Sequence, residues 1–249
     1  MPFDGKVAIV TGAGQGIGEA YARGLAEKKA KVVVADINTG LGQKVASDIC
    51  ANGGNAIYVD LDVASPESCE RMAADVMCEF DQIDYVINNA AIFAGRRKEG
   101  LLTVDYSYYQ RFMEVNMNGS LLVTRAIFHY MAANGGGAIV NQSSSAAWGA
   151  GDFYSVSKAA TNALTISLAK ELGPMKIRVN AIAPGPTDTK ATREAVSDDR
   201  LAMLLKQMPL GRMGTTDDIV KACLFLLSDE ASWIPGQVLS VDGGSVLRL

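Results

Sequence analysis

"KVAIVTGAGQGIG" (Lys6–Gly18) runs an apolar, β-branched stretch straight into a loop in which every second residue is glycine. An amphipathic stretch, Glu19 to Lys29, follows. That order predicts strand, tight turn, helix. Glycine stands at 12, 14, 16 and 18. The GxGxxG dinucleotide fingerprint is not met, because from Gly12 it requires glycine where Ile17 stands. The physics is the same. Glycines permit the turn and let backbone N–H groups approach a pyrophosphate at a helix N-terminus. The next apolar run, "KVVVAD" (Lys31–Asp36), ends in an acid. A carboxylate there accepts hydrogen bonds from both adenosine ribose hydroxyls and repels a 2′-phosphate. "DIN" (Asp36–Asn38) brings no arginine to offset that repulsion. The expectation is an NAD(H) site, with NADP the poorer fit. Gly12, Gly14, Gln15, Gly16, Ile17 and Gly18 form its cradle, and Asp36 and Ile37 lie at its ribose.

Outward from this unit the pattern repeats. Lys6–Thr11, Lys31–Asp36, Asn55–Asp60, Ile83–Asn89, Gly137–Ser143, Ile177–Pro184 and Gly236–Gly243 read as seven strands. Their continuous Val/Ile content suggests strands covered on both faces. Between them lie helical stretches: Glu19–Lys29, Gly40–Ala51, Pro66–Phe80, Tyr106–Ala133, Asp152–Leu172 and Thr216–Ser228. The alternation predicts βαβ units. The fold class expected is α/β: one doubly wound, Rossmann-like domain over residues 1–249, with a seven-stranded parallel sheet and helices on both faces. Residues 187–213 break the rhythm, with a helix-like stretch at Asp199–Met208. An insertion beyond the carboxyl end of a strand sits where such sheets bind ligands. It reads as a mobile lid or as a long packed connection.

Composition narrows the function class. A net charge of −4 gives no footprint for nucleic acid. No run approaches the ~18 apolar residues of a membrane span, and no leader is evident, so a cytoplasmic protein is expected. Cys50, Cys69, Cys78 and Cys223 lack metal-ligand spacing, and His129 is the one histidine, so no metal site is expected. His129 itself reads as an ordinary helix residue. The densest basic cluster, Arg96-Arg97-Lys98, is either a solvated loop or an attractor for an anionic substrate.

With so little histidine, proton transfer at neutral pH needs another group. "GDFYSVSKAA" (Gly151–Ala160) offers Tyr154 and Lys158 at i and i+4, on one helix face. Lowering a tyrosine pKa of about 10 by about three units requires roughly 4 kcal/mol. An ammonium about 4 Å away supplies that at an effective dielectric near 20. The pair is therefore sufficient as an acid–base, although YxxxK alone is a weak signal.

Taken with the glycine loop, "NNAA" (Asn88–Ala91), Asn116, "NQSSS" (Asn141–Ser145) and "PGPTDT" (Pro184–Thr189), the chain resembles the short-chain dehydrogenase/reductase family along its whole length. The resemblance implies a single Rossmann-like domain, a homotetramer or dimer, and interconversion of alcohols and ketones with a nicotinamide cofactor. It implies Tyr154 as acid–base and Lys158 as the group that lowers its pKa and bonds the nicotinamide ribose. Ser144, with Ser143 as fallback, would bond the substrate oxygen, and Asn116 would hold a water behind Lys158. Asn89 and Ala90 would line the adenosine ribose side, Asp62 and Val63 the adenine, and Pro184, Thr187 and Thr189 the nicotinamide end. Ala91 stands where the family commonly has glycine. The Asn89–Asn116 stretch is long, with "FAGRRKEGLL" (Phe93–Leu102), and the Ser144–Tyr154 stretch is short.

The reading is an NAD(H)-dependent oxidoreductase for a small-molecule secondary alcohol or ketone, of apolar, cyclic or aromatic character. The alternatives are a 3-oxoacyl-thioester reductase, a dehydratase or epimerase on the same fold, and a non-catalytic NAD-binding protein. Apolar wall candidates are Phe93, Ala146, Trp148, Phe153, Pro186, Met203, Leu204 and Met208.

Overall fold

The computed structural model describes residues 3–149 and 151–247, so both ends of the expected 1–249 domain lie outside the described residues. Its seven strands are β1 (Val7–Thr11), β2 (Lys31–Asp36), β3 (Asn55–Asp60), β4 (Tyr85–Asn88), β5 (Gly137–Gln142), β6 (Ile177–Pro184) and β7 (Val238–Val241). They form one sheet in the order β3-β2-β1-β4-β5-β6-β7, every pair parallel.

Nine α-helices lie among the described residues: α1 (Gly16–Glu27), α2 (Thr39–Ala51), α3 (Pro66–Phe80), α4 (Tyr106–Met113), α5 (Gly119–Ala133), α6 (Phe153–Leu172), α7 (Lys190–Ala195), α8 (Asp198–Gln207) and α9 (Thr216–Leu227). Strand side chains alternate between two cores. Ala8, Val10, Val32 and Val34 meet Tyr21, Leu25, Ile49 and Val220, from α1, α2 and α9. Val7, Ile9, Val33 and Ala35 meet Met72, Val76, Ile127 and Leu168, from α3, α5 and α6. Each buried Val, Leu, Ile or Met side chain among them contributes about 1.5–3 kcal/mol. Both faces are apolar, which explains the unbroken Val/Ile runs.

Caps set the helix starts. Ser65 accepts from the Ser68 amide at 3.1 Å, with Pro66 in the first turn of α3. Thr215 and Asp218 form a reciprocal capping box on α9.

Two expectations need correction. The expected helix Tyr106–Ala133 is interrupted by a π-helical turn at Glu114–Asn118. The insertion holds α7 as well as α8, and its base is closed: the Asp188 amide donates to Gly214 O at 2.8 Å and the Gly214 amide to Pro186 O at 2.9 Å. Among the described residues no helix is long and apolar enough to cross a membrane.

The chain leaves β1 toward β2 and β3, then returns to place β4 on the other side of β1. The loops after β1 and β4 therefore diverge, and a cleft opens at the carboxyl ends of the strands.

Candidate active site

That cleft holds about 1350 Å³. Its near end is the glycine loop. Gly12 turns with φ +62°, a conformation side chains disfavour, and a Cβ on Gly18 would run into the Gly12 carbonyl oxygen. Asn89 clamps the turn, its Nδ2 donating to Thr11 O and Gly12 O, each at 3.0 Å. Gln15 precedes α1 without capping it through its side chain. The first amides of α1 therefore face the cleft as anion donors. Asp36 sits beside the loop. Its Oδ2 accepts from the Gly14 amide at 2.7 Å and its Oδ1 from the Asn38 amide at 2.8 Å.

The cleft wall includes Gly12, Gln15, Gly16, Ile17, Gly18, Asp36 and Ile37 from the first two strand ends. Asp62, Val63, Asn89 and Ala90 follow from β3 and β4, and Pro184, Thr187 and Thr189 from β6. Asp62 is tied to Arg111 by a 2.8 Å ion pair. Gly14 and Asn116 lie behind the wall rather than in it.

The far end is built on α6. Asp152 starts that helix by accepting from the Ser155 amide at 3.2 Å. Tyr154 and Lys158 follow, both buried. The Ser144 hydroxyl bonds the Tyr154 side chain, and also accepts from the Ala146 amide at 3.1 Å. The Ser143 hydroxyl is turned away, bonding Asn162 and the Lys158 carbonyl under α6. Geometry thus selects Ser144 as the serine beside the phenol.

Burial pushes the Tyr154 phenol above its ordinary pKa; the Ser144 hydrogen bond and the Arg96 charge pull it back, and Asp152 raises it. Lys158 lies one turn further along the same helix face. Its ammonium is 5.8 Å from the Tyr154 ring centroid and donates to Gln142 O at 2.6 Å. Burial brings it down to about 8. A buried cation finds the nearest carbonyl, which for Lys158 is at the end of β5.

Asn116 occupies the π-helical turn. Its Oδ1 accepts from the Ile92 amide at 2.8 Å and its Nδ2 donates to Ile92 O at 3.1 Å. Its own carbonyl accepts from Thr161 on α6 at 3.4 Å. A side chain bound to another strand's exit and a widened turn occur together here, as at many functional sites.

The family model matching residues 12–246 is described as enoyl-(acyl carrier protein) reductase. An uncharacterized oxidoreductase of Mycobacterium tuberculosis is 54% identical over 246 residues, 99% of each chain. The chain belongs to the short-chain dehydrogenase/reductase family. Another relative, the cis-4-hydroxycyclohexanecarboxylate dehydrogenase of Sinomonas cyclohexanicum, is 37% identical over 97% of each chain. The 7α-hydroxysteroid dehydrogenase of Escherichia coli is 35% identical, over 100% of this chain and 97% of its own. A solved 7α-hydroxysteroid dehydrogenase complexed with NADH and 7-oxo glycochenodeoxycholic acid superposes with a TM-score of 0.93, at 35% identity over 99% of this chain and 96% of that one.

Several expected wall residues of this short-chain dehydrogenase/reductase go elsewhere. Phe93, Ala146, Pro186 and Leu204 line the cleft. Phe153 is core, edge-on to Phe112 at 4.7 Å. Met208 is buried near Gly243, Met203 is 62% exposed, and Trp148 is not on the wall. On α6 and α8 the helical phase decides, and apolar character alone cannot tell pocket from core or surface. The residue that sequence reasoning left undecided is Arg96. It lines the cleft with its guanidinium carbon 4.9 Å from the Tyr154 ring centroid. The available signal was three basic residues on a long segment over the site.

Proposed function

We propose that the protein is an NAD(H)-dependent oxidoreductase that interconverts a small secondary alcohol and its ketone. The observation that carries this reading is the Tyr154–Ser144 pair at one end of a cleft whose other end is a glycine cradle beside Asp36. The cradle suits a dinucleotide: uncapped α1 amides for the pyrophosphate and a carboxylate at the ribose position. Bound along the cleft, the nicotinamide supplies or accepts the hydride.

The residues do the rest. In reduction Tyr154 donates its phenolic proton to the carbonyl oxygen as charge grows there. Ser144 hydrogen-bonds the same oxygen and holds the developing alkoxide. In oxidation the phenolate removes the alcohol proton. Lys158 is assigned to the nicotinamide ribose and favours the phenolate from behind the ring. Asn116 braces Ile92, and its carbonyl is assigned to the water behind Lys158. A tyrosine raised by burial is protonated at neutral pH, so reduction is favoured there and oxidation climbs as pH rises.

Reduction of a 3-oxoacyl thioester is the second reading, favoured by the description of the matching family model. Asp36 weighs against it, because reductive biosynthesis commonly uses the 2′-phosphorylated cofactor that this carboxylate repels. The names of two relatives point instead to alcohols on cyclic acids.

The test is a panel of secondary alcohols with NAD, followed at the NADH absorbance band. Tyr154→Phe should keep NADH affinity within a few-fold and lose at least ~10² in kcat. Oxidation by the wild type should rise between neutral and alkaline pH. Near-normal turnover by Tyr154→Phe would remove the tyrosine from the chemistry.

A further inference from the structure

We propose that Arg96 is a substrate-binding residue that takes a carboxylate of the substrate next to Tyr154, so that the preferred substrate is a compact hydroxy acid or its oxo acid. This rests on the oxidoreductase reading above and names its substrate class.

Arg96 packs against two rings that also touch each other. Its guanidinium carbon is 4.8 Å from the Phe93 centroid and 4.9 Å from that of Tyr154, and those two rings are 5.3 Å apart. Stacking of this kind fixes the plane of the guanidinium. Its hydrogen-bonding capacity is poorly used. The Nε is buried and finds no hydrogen-bond partner among the described residues. One terminal nitrogen reaches the Phe93 carbonyl only at 3.4 Å. The carboxylate it pairs with, Asp152, is 3.6 Å from Nε, and the other Asp152 oxygen caps α6. With Nε turned to Asp152, the two terminal nitrogens are the donors left for the cleft, and one of them has only the long bond to Phe93. Its neighbour is arranged otherwise: Arg97 stacks on Tyr108 at 4.7 Å and pairs with Glu99.

A half-buried guanidinium with two little-used terminal nitrogens calls for a planar anion that can accept two of their bonds. Asp152 already offsets part of its charge, so a monoanionic carboxylate fits and a dianionic phosphate is opposed. The position over the face of Tyr154 sets the size. An anion held there is close to the carbon whose oxygen Tyr154 and Ser144 address, which a long substrate with a distant acid group does not match. A thioester carbonyl offers Arg96 no such charge.

The experiment titrates the NADH complex with benzoate and with benzamide, which share a shape and differ in charge, and reads the cofactor fluorescence. Benzoate should bind the wild type at least ~10-fold more tightly, the scale of one charge-assisted bond pair. Arg96→Gln should bring the two ligands to within ~2-fold. Arg96→Lys should recover part of the preference, since it keeps the charge but not the fork. In turnover, the ratio of kcat/KM for a hydroxy acid over its amide should fall by ~10- to 100-fold in Arg96→Gln, through KM. Equal binding of benzoate and benzamide to the wild type, or an unchanged ratio in folded Arg96→Gln, would overturn the proposal while leaving the oxidoreductase reading intact. Loss of NADH binding by the wild type itself would remove both.

Discussion

Asp36 lines the cleft where the sequence reading expects the ribose, and its carboxylate also receives the Gly14 and Asn38 amides that hold the glycine loop. Asp36→Ala should therefore lower kcat/KM with NAD by loosening the loop as well as by losing the ribose contact, and should raise NADP use only partly. Ile37 is 62% exposed on the cleft lip. Adding Ile37→Arg supplies a guanidinium suited to a phosphate. The double variant should shift the NAD/NADP ratio of kcat/KM by about two orders of magnitude, or ~3 kcal/mol. The shift should shrink at high salt, because the contact is exposed. A wild type that uses both cofactors alike would mean that Asp36 does not read the ribose. At this scale Tyr154, Lys158 and Asp36 were legible because each is placed by local spacing: i,i+4 on a helix, or the last position of a strand. The choice of Ser144 over Ser143 was drawn from the family resemblance, and here it turns on which hydroxyl faces α6. Arg96 was legible only as charge, since its stacking on Tyr154 joins segments far apart in sequence.

Among elements, the π-helical turn at Glu114–Asn118 and the insertion are the informative departures. The helical periodicity of Tyr106–Ala133 gave no warning of the turn, at which the Asn116 side chain bonds the Ile92 backbone of another segment. In the insertion, α8 has no buried residue, yet Arg200, Leu201 and Leu204 face the cleft. Few buried contacts mean low local stability, and an apolar stripe over a ligand cleft gains partners when the cleft fills. We expect α7 and α8 to act as a lid. Amide hydrogen exchange across residues 190–207 should be fast in the free protein. It should slow by at least ~10-fold with NADH and a substrate analogue together, while α3 stays unchanged. Equal protection of 190–207 in both states would make the segment a packed connection.

For the whole molecule, β7 is an edge strand with Leu239 37% exposed, close in sequence to Trp233, which is 94% exposed. Open edges and large exposed apolar groups invite association. We expect a homotetramer or dimer, and Trp233→Glu should lower the assembled mass in light scattering by at least half. A monomeric wild type at micromolar concentration would contradict this. The sequence by itself determined the fold class, the succession of the seven strands and most helices between them, the glycine loop and the shared helix face of Tyr154 and Lys158. Each is written in short-range periodicity or in the special backbone freedom of glycine. Only the tertiary structure decided where Lys158 places its charge, where the long helix widens, which apolar residues of α6 and α8 face the cleft, and that Arg96 lies over the tyrosine. Those depend on contacts between distant segments and on helical phase, and neither spacing nor composition encodes the partner.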